Sequence, residues 1–301
     1  MPPGTVSIDL DTERHHLEGY GFDVSESADG RLLQLSIKRW LDLLRARKIR
    51  ATFFAIGENV SAHPDLFKRI VASGHELASH SMTHPQPFLK LSSSELEAEL
   101  TRSSRVILER TGKRAVGFRA PNFELNKDLV KILSKTGYLY DASLFPGPVA
   151  YIRNLYCMLK GNLPARGNQV GRFRMPRLME ENVIEFPLAT MPALGFSFYS
   201  TFLFITGPAI FHSAYKISRT SFSFFSFVCH AIDMLSLDDG LDPRLASHPG
   251  MRLKTEEKGR RIGDFLSCLN EDFTLNPFEE HIGFVKRDAV NVHSGIQLLH
   301  G

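Results

Sequence analysis

The chain has 301 residues, 43% of them hydrophobic and 23% charged, and a formal net charge of +3. This balance excludes general disorder, and so small a charge gives no support to a nucleic-acid partner. The length suits two small domains or one large α/β barrel. Three widely separated cysteines, Cys157, Cys229 and Cys268, show no CxxC spacing and read as reduced thiols of a cytosolic protein.

The opening MPPGTVSIDLD has no basic stretch followed by an apolar run, so no signal peptide is expected. TVSIDL (5–10) reads as a buried strand. RLLQLSIKRWLDLLRARK (31–48) carries Leu33, Ile37, Trp40, Leu41 and Leu44 at helical spacing. ATFFAIG (51–57) is a second strand, and SAHPDLFKRIVASG (61–74) a helix with Pro64 early and Gly74 at its end. HELASH (75–80) is a short strand. SSSELEAELTRSSRVILERTG (92–112) is the clearest helix, with serine caps, a Glu-rich first turn and a closing Gly112.

AVGFRAP (115–121) is a strand, NKDLVKILSKTG (126–137) a helix and YLYDAS (138–143) a strand. Further on come NVIEFPL (182–188), a helix near 202–218, the strand FSFFSFVCH (222–230) and a helix at about 254–269. The apolar run at 195–211 is interrupted by Ser, Thr, Gly and Pro and falls short of the roughly 20 residues of a spanning helix. About seven βα units predict parallel strands and a single closed or distorted (β/α)7–8 barrel over residues 1–301, with a basic and aromatic insertion at about 145–180.

In such a barrel the reactive groups gather at the carboxyl ends of the strands. The polar residues there are Asp9 and Asp11, His80 followed by His84, Arg119, Asp141 with Ser143, and His230. In GHELASHSMTH (74–84), His80 and His84 are four apart, so one helical turn ending before Pro85 would stack their rings on one face. Asp11, His80 and His84 make a two-histidine, one-carboxylate set, which suits a catalytic metal with open positions. Zinc is the default ion, and the set also accepts iron, cobalt, nickel or manganese. The bland alternative is that the two histidines cap a helix or pair with carboxylates.

SIDLD, HSMTH preceded by GHE, FRAP, YDAS and FVCH resemble the five ordered motifs of the polysaccharide deacetylases, the NodB-type carbohydrate esterases of family 4. The resemblance covers about 5–143 and, more loosely, 222–235. Its DxD opening is similar to that of peptidoglycan deacetylases and of deformylases acting on lipid-linked aminoarabinose. It implies a barrel of the NodB type, Asp9 as general base, and Asp11, His80 and His84 as metal ligands. It further implies that Arg119 orients Asp9, and that His230 is the general acid with Asp141 as its tuner. Asn122 stands where the family has Tyr or Trp, and would act as oxyanion donor through its backbone N–H. Val228 stands where the fifth motif has Leu.

The chemistry fits those roles independently. Amide hydrolysis needs an activated water, a place for the oxyanion and a proton for the departing amine. A metal serves the first two needs, a carboxylate beside an arginine accepts the water's proton, and a histidine donates to nitrogen.

Other residues read as follows. His75 is structural, His212 belongs to the core and His248 to a turn. His15 and His16 either overhang the site or lie in a solvated loop, the loop being favoured. Asp233 orients a substrate hydroxyl or caps the following helix. The stretch 150–180, with Arg153, Lys160, Arg166, Arg172, Arg174 and Arg177, is a solvated loop or a grip for a diphosphate and lipid.

The expectation is a cytoplasmic, divalent-metal-dependent deacylase removing an N-acetyl or N-formyl group from an amino sugar. Its substrate would be a glycan or a lipid- or nucleotide-linked sugar of surface-polysaccharide synthesis, with peripheral association at the inner membrane face. An O-acetyl esterase, a non-sugar amidohydrolase or a non-catalytic glycan-binding protein are the alternatives.

Overall fold

The computed structural model describes residues 1–24, 30–146, 174–179, 181–192, 195 and 197–297. Strand β1 (Pro3–Asp9) lies between β2 (Thr52–Ala55) and β8 (Phe225–His230), parallel to both. Next to β2 follow β3 (Glu76–Ser79), β4 (Gly117–Phe118), β5 (Tyr140–Asp141) and β7 (Ile184–Glu185), again all parallel. The short β6 (Arg177–Leu178) is antiparallel to β7, and β9 (Thr274–Leu275) pairs with the start of β1.

Beyond β7 the chain swings across to β8. Ala189 N–H donates to the Ser226 carbonyl at 3.1 Å, and Tyr199 bridges Val228 in parallel. The sheet thus curls round to its far edge, as the distorted barrel anticipated from the alternating pattern.

Alternation along β1 sorts its side chains. Val6, Ile8 and Leu10 join the outer core with Trp40, Phe67 and Phe265, while Ser7 and Asp9 point inward and meet one partner, Arg119. Helix α1 (Glu13–Gly19) follows β1, and α2 (Gly30–Ala46) buries Leu33, Ile37, Trp40 and Leu44, the stripe expected from their spacing. Helices α3 (Gly57–Ala62), α4 (Pro64–Ala72), α5 (Ser93–Thr111) and α6 (Lys127–Lys135) cover the next crossovers. Helix α5 starts on the Ser92 capping box and stops at Gly112, whose φ of 71° is the left-handed conformation glycine tolerates.

Helix α7 (Ser200–Ser218) is broken at Gly207, just before Pro208. Helix α8 (Thr255–Asp272) backs β8, and α9 (Phe278–Gln297) plugs the interior from the amino ends of the strands. The Phe278 ring lies 6.1 Å from Phe54, 5.3 Å from Tyr140 and 4.9 Å from Phe186. Each such ring buried stabilises the fold by about 1.5–3 kcal/mol. Buried polar groups at that end, such as Thr52 and Glu76, are paired with one another: Thr52 Oγ1 donates to Glu76 Oε2 at 2.6 Å and the Tyr140 hydroxyl to Glu76 Oε1 at 2.8 Å.

The strand expected at 115–121 is only two residues long, and Tyr140 lies across its Gly117, where a Cβ would sit 1.8 Å from the Tyr140 Cζ. The insertion expected at about 145–180 lies mostly outside the described residues. Among the described residues no helix is long and apolar enough to cross a membrane, and Cys229 and Cys268 are free thiols.

Candidate active site

Parallel register brings the strand ends into one layer. Asp9 pairs with both Phe54 and His230, Ser79 with Ala55 and Phe118, and Asp141 with Phe118 and Glu185. The residues picked out along more than two hundred positions of sequence therefore converge. Arg119, just past β4, is 1% exposed; its Nη1 donates to Asp9 Oδ1 at 2.6 Å and to Ser7 Oγ at 3.0 Å. Its Nε donates to the Ala142 carbonyl at 2.9 Å, and the guanidinium lies 4.1 Å above the Phe54 ring centroid. A planar fork held on four sides fixes Asp9 more tightly than a lysine would.

The segment after β3 does not form the helical turn expected for His80–His84. Ser81 (φ 67°) and His84 (φ 57°) adopt left-handed backbone, and this fold-back brings the two imidazole centroids to 4.9 Å. Such conformations cost on the order of 1–3 kcal/mol for a non-glycine residue and persist where surroundings enforce them. Here Glu99 does so, accepting from Met82 N at 2.8 Å, Thr83 N at 2.9 Å and Thr83 Oγ1 at 3.0 Å.

Asp11 Oδ1 lies 3.2 Å from His80 Nε2 and 3.3 Å from His84 Nε2. One ligand atom from each of the three residues falls within 4.8 Å of the others. Yet Asp11 Oδ1 and His84 Nε2 are buried without a hydrogen bond, so these atoms face a common point more than they face each other. Buried polar atoms are ordinarily satisfied, and a cation at that point would satisfy both. Burial works against ionisation of Asp11, but the His84 and His80 rings outweigh it and hold the carboxyl well below its usual range. Burial pushes His84 well below the ordinary imidazole value despite Asp11. The donor set fits a divalent cation.

Helix α1 overturns the favoured reading of His15 and His16 as a solvated loop. Capped at Thr12, this helix of about two turns buries His15 with its ring 4.7 Å from His84, and sets His16 6.3 Å from His230 and 5.0 Å from His248. Burial drives His16 down to about 3, against the pull of Asp11, and its Nε2 has no hydrogen-bond partner. His248 does end a turn, as expected, but its Nδ1 also meets the Tyr20 hydroxyl at 2.9 Å. The rings of His15, His16 and His248 thus wall one side of the site.

His230 ends β8 at the rim. Its carboxylate neighbour is Asp233, whose Oδ2 accepts the His230 backbone N–H at 2.6 Å and lies 3.9 Å from Nδ1. Asp141 is not brought to His230, and this corrects the tuner role expected for it. Its carboxylate accepts from Ser143 Oγ at 2.7 Å and from Ser143 N at 3.2 Å, and it faces Glu185 on the neighbouring strand. Burial, then the adjacent Asp141 carboxylate, pushes Glu185 well above the usual range, so it holds a proton. Glu185 closes β7 as Asp141 closes β5, but it stands midway along NVIEFPL (182–188), so a survey of the ends of the expected strands passes over it.

Asn122, at φ 54°, lies exposed at the rim and donates from Nδ2 to Gln86 Oε1 at 2.8 Å. His75 is structural: its Nδ1 accepts from Ala51 N at 3.1 Å. His212 is half-buried against Phe265.

Known proteins resemble this chain in sequence and fold. Residues 26–140 match the polysaccharide deacetylase family model, a stretch that includes His80, His84 and Arg119. A peptidoglycan deacetylase of Helicobacter pylori is 31% identical over 140 residues, covering 46% of this chain and 47% of that protein. The matched region thus spans about half the length of this curated relative. A provisionally assigned polysaccharide deacetylase from Mycobacterium smegmatis superposes with a TM-score of 0.61 at 18% identity, over 96% of this chain and 92% of that one. A CE4 family pseudoenzyme from Bacillus anthracis superposes with a TM-score of 0.51 at 14% identity, over 94% and 66%. The similarity to polysaccharide deacetylases is therefore carried by sequence and by fold.

Proposed function

We propose that this protein is a divalent-metal-dependent hydrolase that removes an N-acetyl or N-formyl group from an amino sugar. The observation that carries this reading is the convergence of Asp11 Oδ1 and His84 Nε2, both buried and unpartnered, beside an Asp9 already fixed by Arg119. Asp11, His80 and His84 would hold the cation, which when bound supplies Lewis acidity to the acyl carbonyl and to water.

The chain's own residues account for the proton transfers. Arg119 occupies Asp9 Oδ1, leaving Oδ2 to take a proton from the attacking water. His230, 17% exposed at the rim with Asp233 behind it, gives a proton to the departing nitrogen. Water adds to the carbonyl carbon, the C–N bond breaks, and a carboxylic acid and a free amine result. Each positioned acid or base contributes about 10²–10⁴ in rate. An amine is a poorer leaving group than an alkoxide, so a dedicated proton donor favours N-deacylation over ester cleavage. The Asn122 backbone N–H, at the rim, is the proposed oxyanion donor.

A non-catalytic role has less support, because carboxylates, imidazoles and arginine are all in place. A lipid-linked substrate on the cytoplasmic membrane face is supported by the basic residues at 153–177 and by Ile205, Ile210 and Ile217, which α7 leaves exposed. The test is release of acetate and formate from acylated amino sugars offered free, nucleotide-linked and lipid-linked, with zinc, cobalt, nickel, manganese or iron. Release that requires a metal, and is lost in Asp11→Asn, is expected. No product with any pairing rejects the reading.

A further inference from the structure

His80 and His84 are prepared for a cation in different ways. A neutral imidazole carries one N–H, so a ring that ligates through Nε2 must be protonated at Nδ1 and needs an acceptor there. His80 has a permanent one: its Nδ1 lies 2.7 Å from the backbone carbonyl of Arg119, which only accepts. His84 instead faces the side-chain amide of Gln86, with Nε2 of the amide 3.1 Å from the ring Nδ1. An amide nitrogen donates, so this arrangement places the His84 proton on its own Nε2, the atom aimed at Asp11. His80 is locked in the ligating tautomer, whereas His84 is in the other.

Gln86 is tied to two further parts of the site. Its Nε2 donates to the His15 carbonyl of α1 at 3.3 Å, and its Oε1 accepts from Asn122 Nδ2 at 2.8 Å. Reversing the amide would present an oxygen to His84 Nδ1. It would also turn an NH2 towards Asn122, which must then offer its own oxygen.

We propose that Gln86 is a positioning residue that couples cation loading at His84 to the side-chain orientation of Asn122. The His15 carbonyl and Asn122 hold the Gln86 amide with nitrogen towards His84. Loading requires the proton on Nδ1, so the amide turns and Asn122 turns with it. The metal ligand and the rim residue beside the scissile acyl group are thereby two ends of one hydrogen-bonded relay, His84–Gln86–Asn122. This rests on the metal-dependent reading above, and it assigns Gln86 a part in it that nothing in the sequence motifs marks.

The experiment is a zinc titration of the full chain by calorimetry against a competing chelator, for the wild type, Gln86→Leu and Gln86→Glu. The side-chain amide NMR signals of Gln86 and Asn122 are followed in parallel. Partners of metal-bound histidines typically matter by about 10–100-fold in affinity. Gln86→Leu should weaken zinc binding by that factor. Gln86→Glu, which presents an oxygen on either side, should bind at least as tightly as the wild type. The Asn122 amide signal should move on zinc addition in the wild type and stay still in Gln86→Leu. Equal affinity in wild type and Gln86→Leu, weakening in Gln86→Glu, or an Asn122 signal indifferent to zinc overturns the relay. A wild type that binds no zinc, cobalt or manganese would instead reject the metal reading itself, so the two failures are distinguishable.

Discussion

The Asp9–Arg119 pair is 1% exposed on either side, with Nη1 to Oδ1 at 2.6 Å, and Arg119 has two further acceptors in Ser7 and Ala142. Removing one partner of a buried ion pair leaves an uncompensated charge and costs about 3–5 kcal/mol. For Arg119→Ala that is a large share of the roughly 5–15 kcal/mol that typically separates native from unfolded protein. With an m-value of about 3 kcal/mol/M, the urea midpoint should fall by roughly 1–2 M. Arg119→Lys keeps the charge, but one ammonium cannot serve Asp9, Ser7 and Ala142 together, so an intermediate loss is expected.

The decisive measurement is the double-mutant cycle with Asp9→Ala. Each single change strands a charge, and the double change strands none, so the two losses should overlap by about 2 kcal/mol or more. If they add to within about 0.5 kcal/mol, the pair is not the electrostatic unit argued here.

Other consequences follow from the same geometry. Glu185 keeps a proton that the unfolded chain releases once pH passes the ordinary carboxyl value, so wild-type stability should decline as pH rises from there. Glu185→Gln, which carries its donor at every pH, should lose that slope; parallel melting-temperature profiles between pH 5 and 8 for the two proteins, on the order of a degree apart throughout, would count against it. Lys258, fully buried on α8, donates from Nζ to the carbonyls of Ile232 and Leu235 just beyond His230. Lys258→Met should therefore cost about 1–3 kcal/mol in chemical denaturation by leaving those carbonyls unpaired. Saturating zinc at about 100 times its dissociation constant should raise wild-type stability by about 2.7 kcal/mol, read as a higher melting temperature, and should leave Asp11→Asn unmoved. His230→Ala should lower the proposed amide hydrolysis by about 10²–10⁴ while leaving zinc affinity unchanged, which kinetics and calorimetry read separately.

Much of this molecule follows from local pattern. The period-two alternation of SIDLD puts Ser7 and Asp9 on one face of β1, and helical spacing assigns Trp40 and its neighbours to the outer core. Caps at Ser92 and Gly112 bound α5 as they should. Strand ends in a parallel barrel lie together by construction, so Asp9, Asp11, His80, Arg119 and His230 could be gathered from sequence before any coordinate was known.

What tertiary structure alone decides is which of those residues touch, because contact distances depend on backbone turns that periodicity does not encode. The left-handed Ser81 and His84, enforced by Glu99 from another element, replace the helical turn that HxxxH spacing suggests. A seven-residue helix is too short to announce itself by period, so the burial of His15 and the half-burial of His16 emerge only when α1 packs over the site. Asp141 lies opposite Glu185 in the register of β5 against β7, and register between strands some forty residues apart is a property of the sheet, not of either segment.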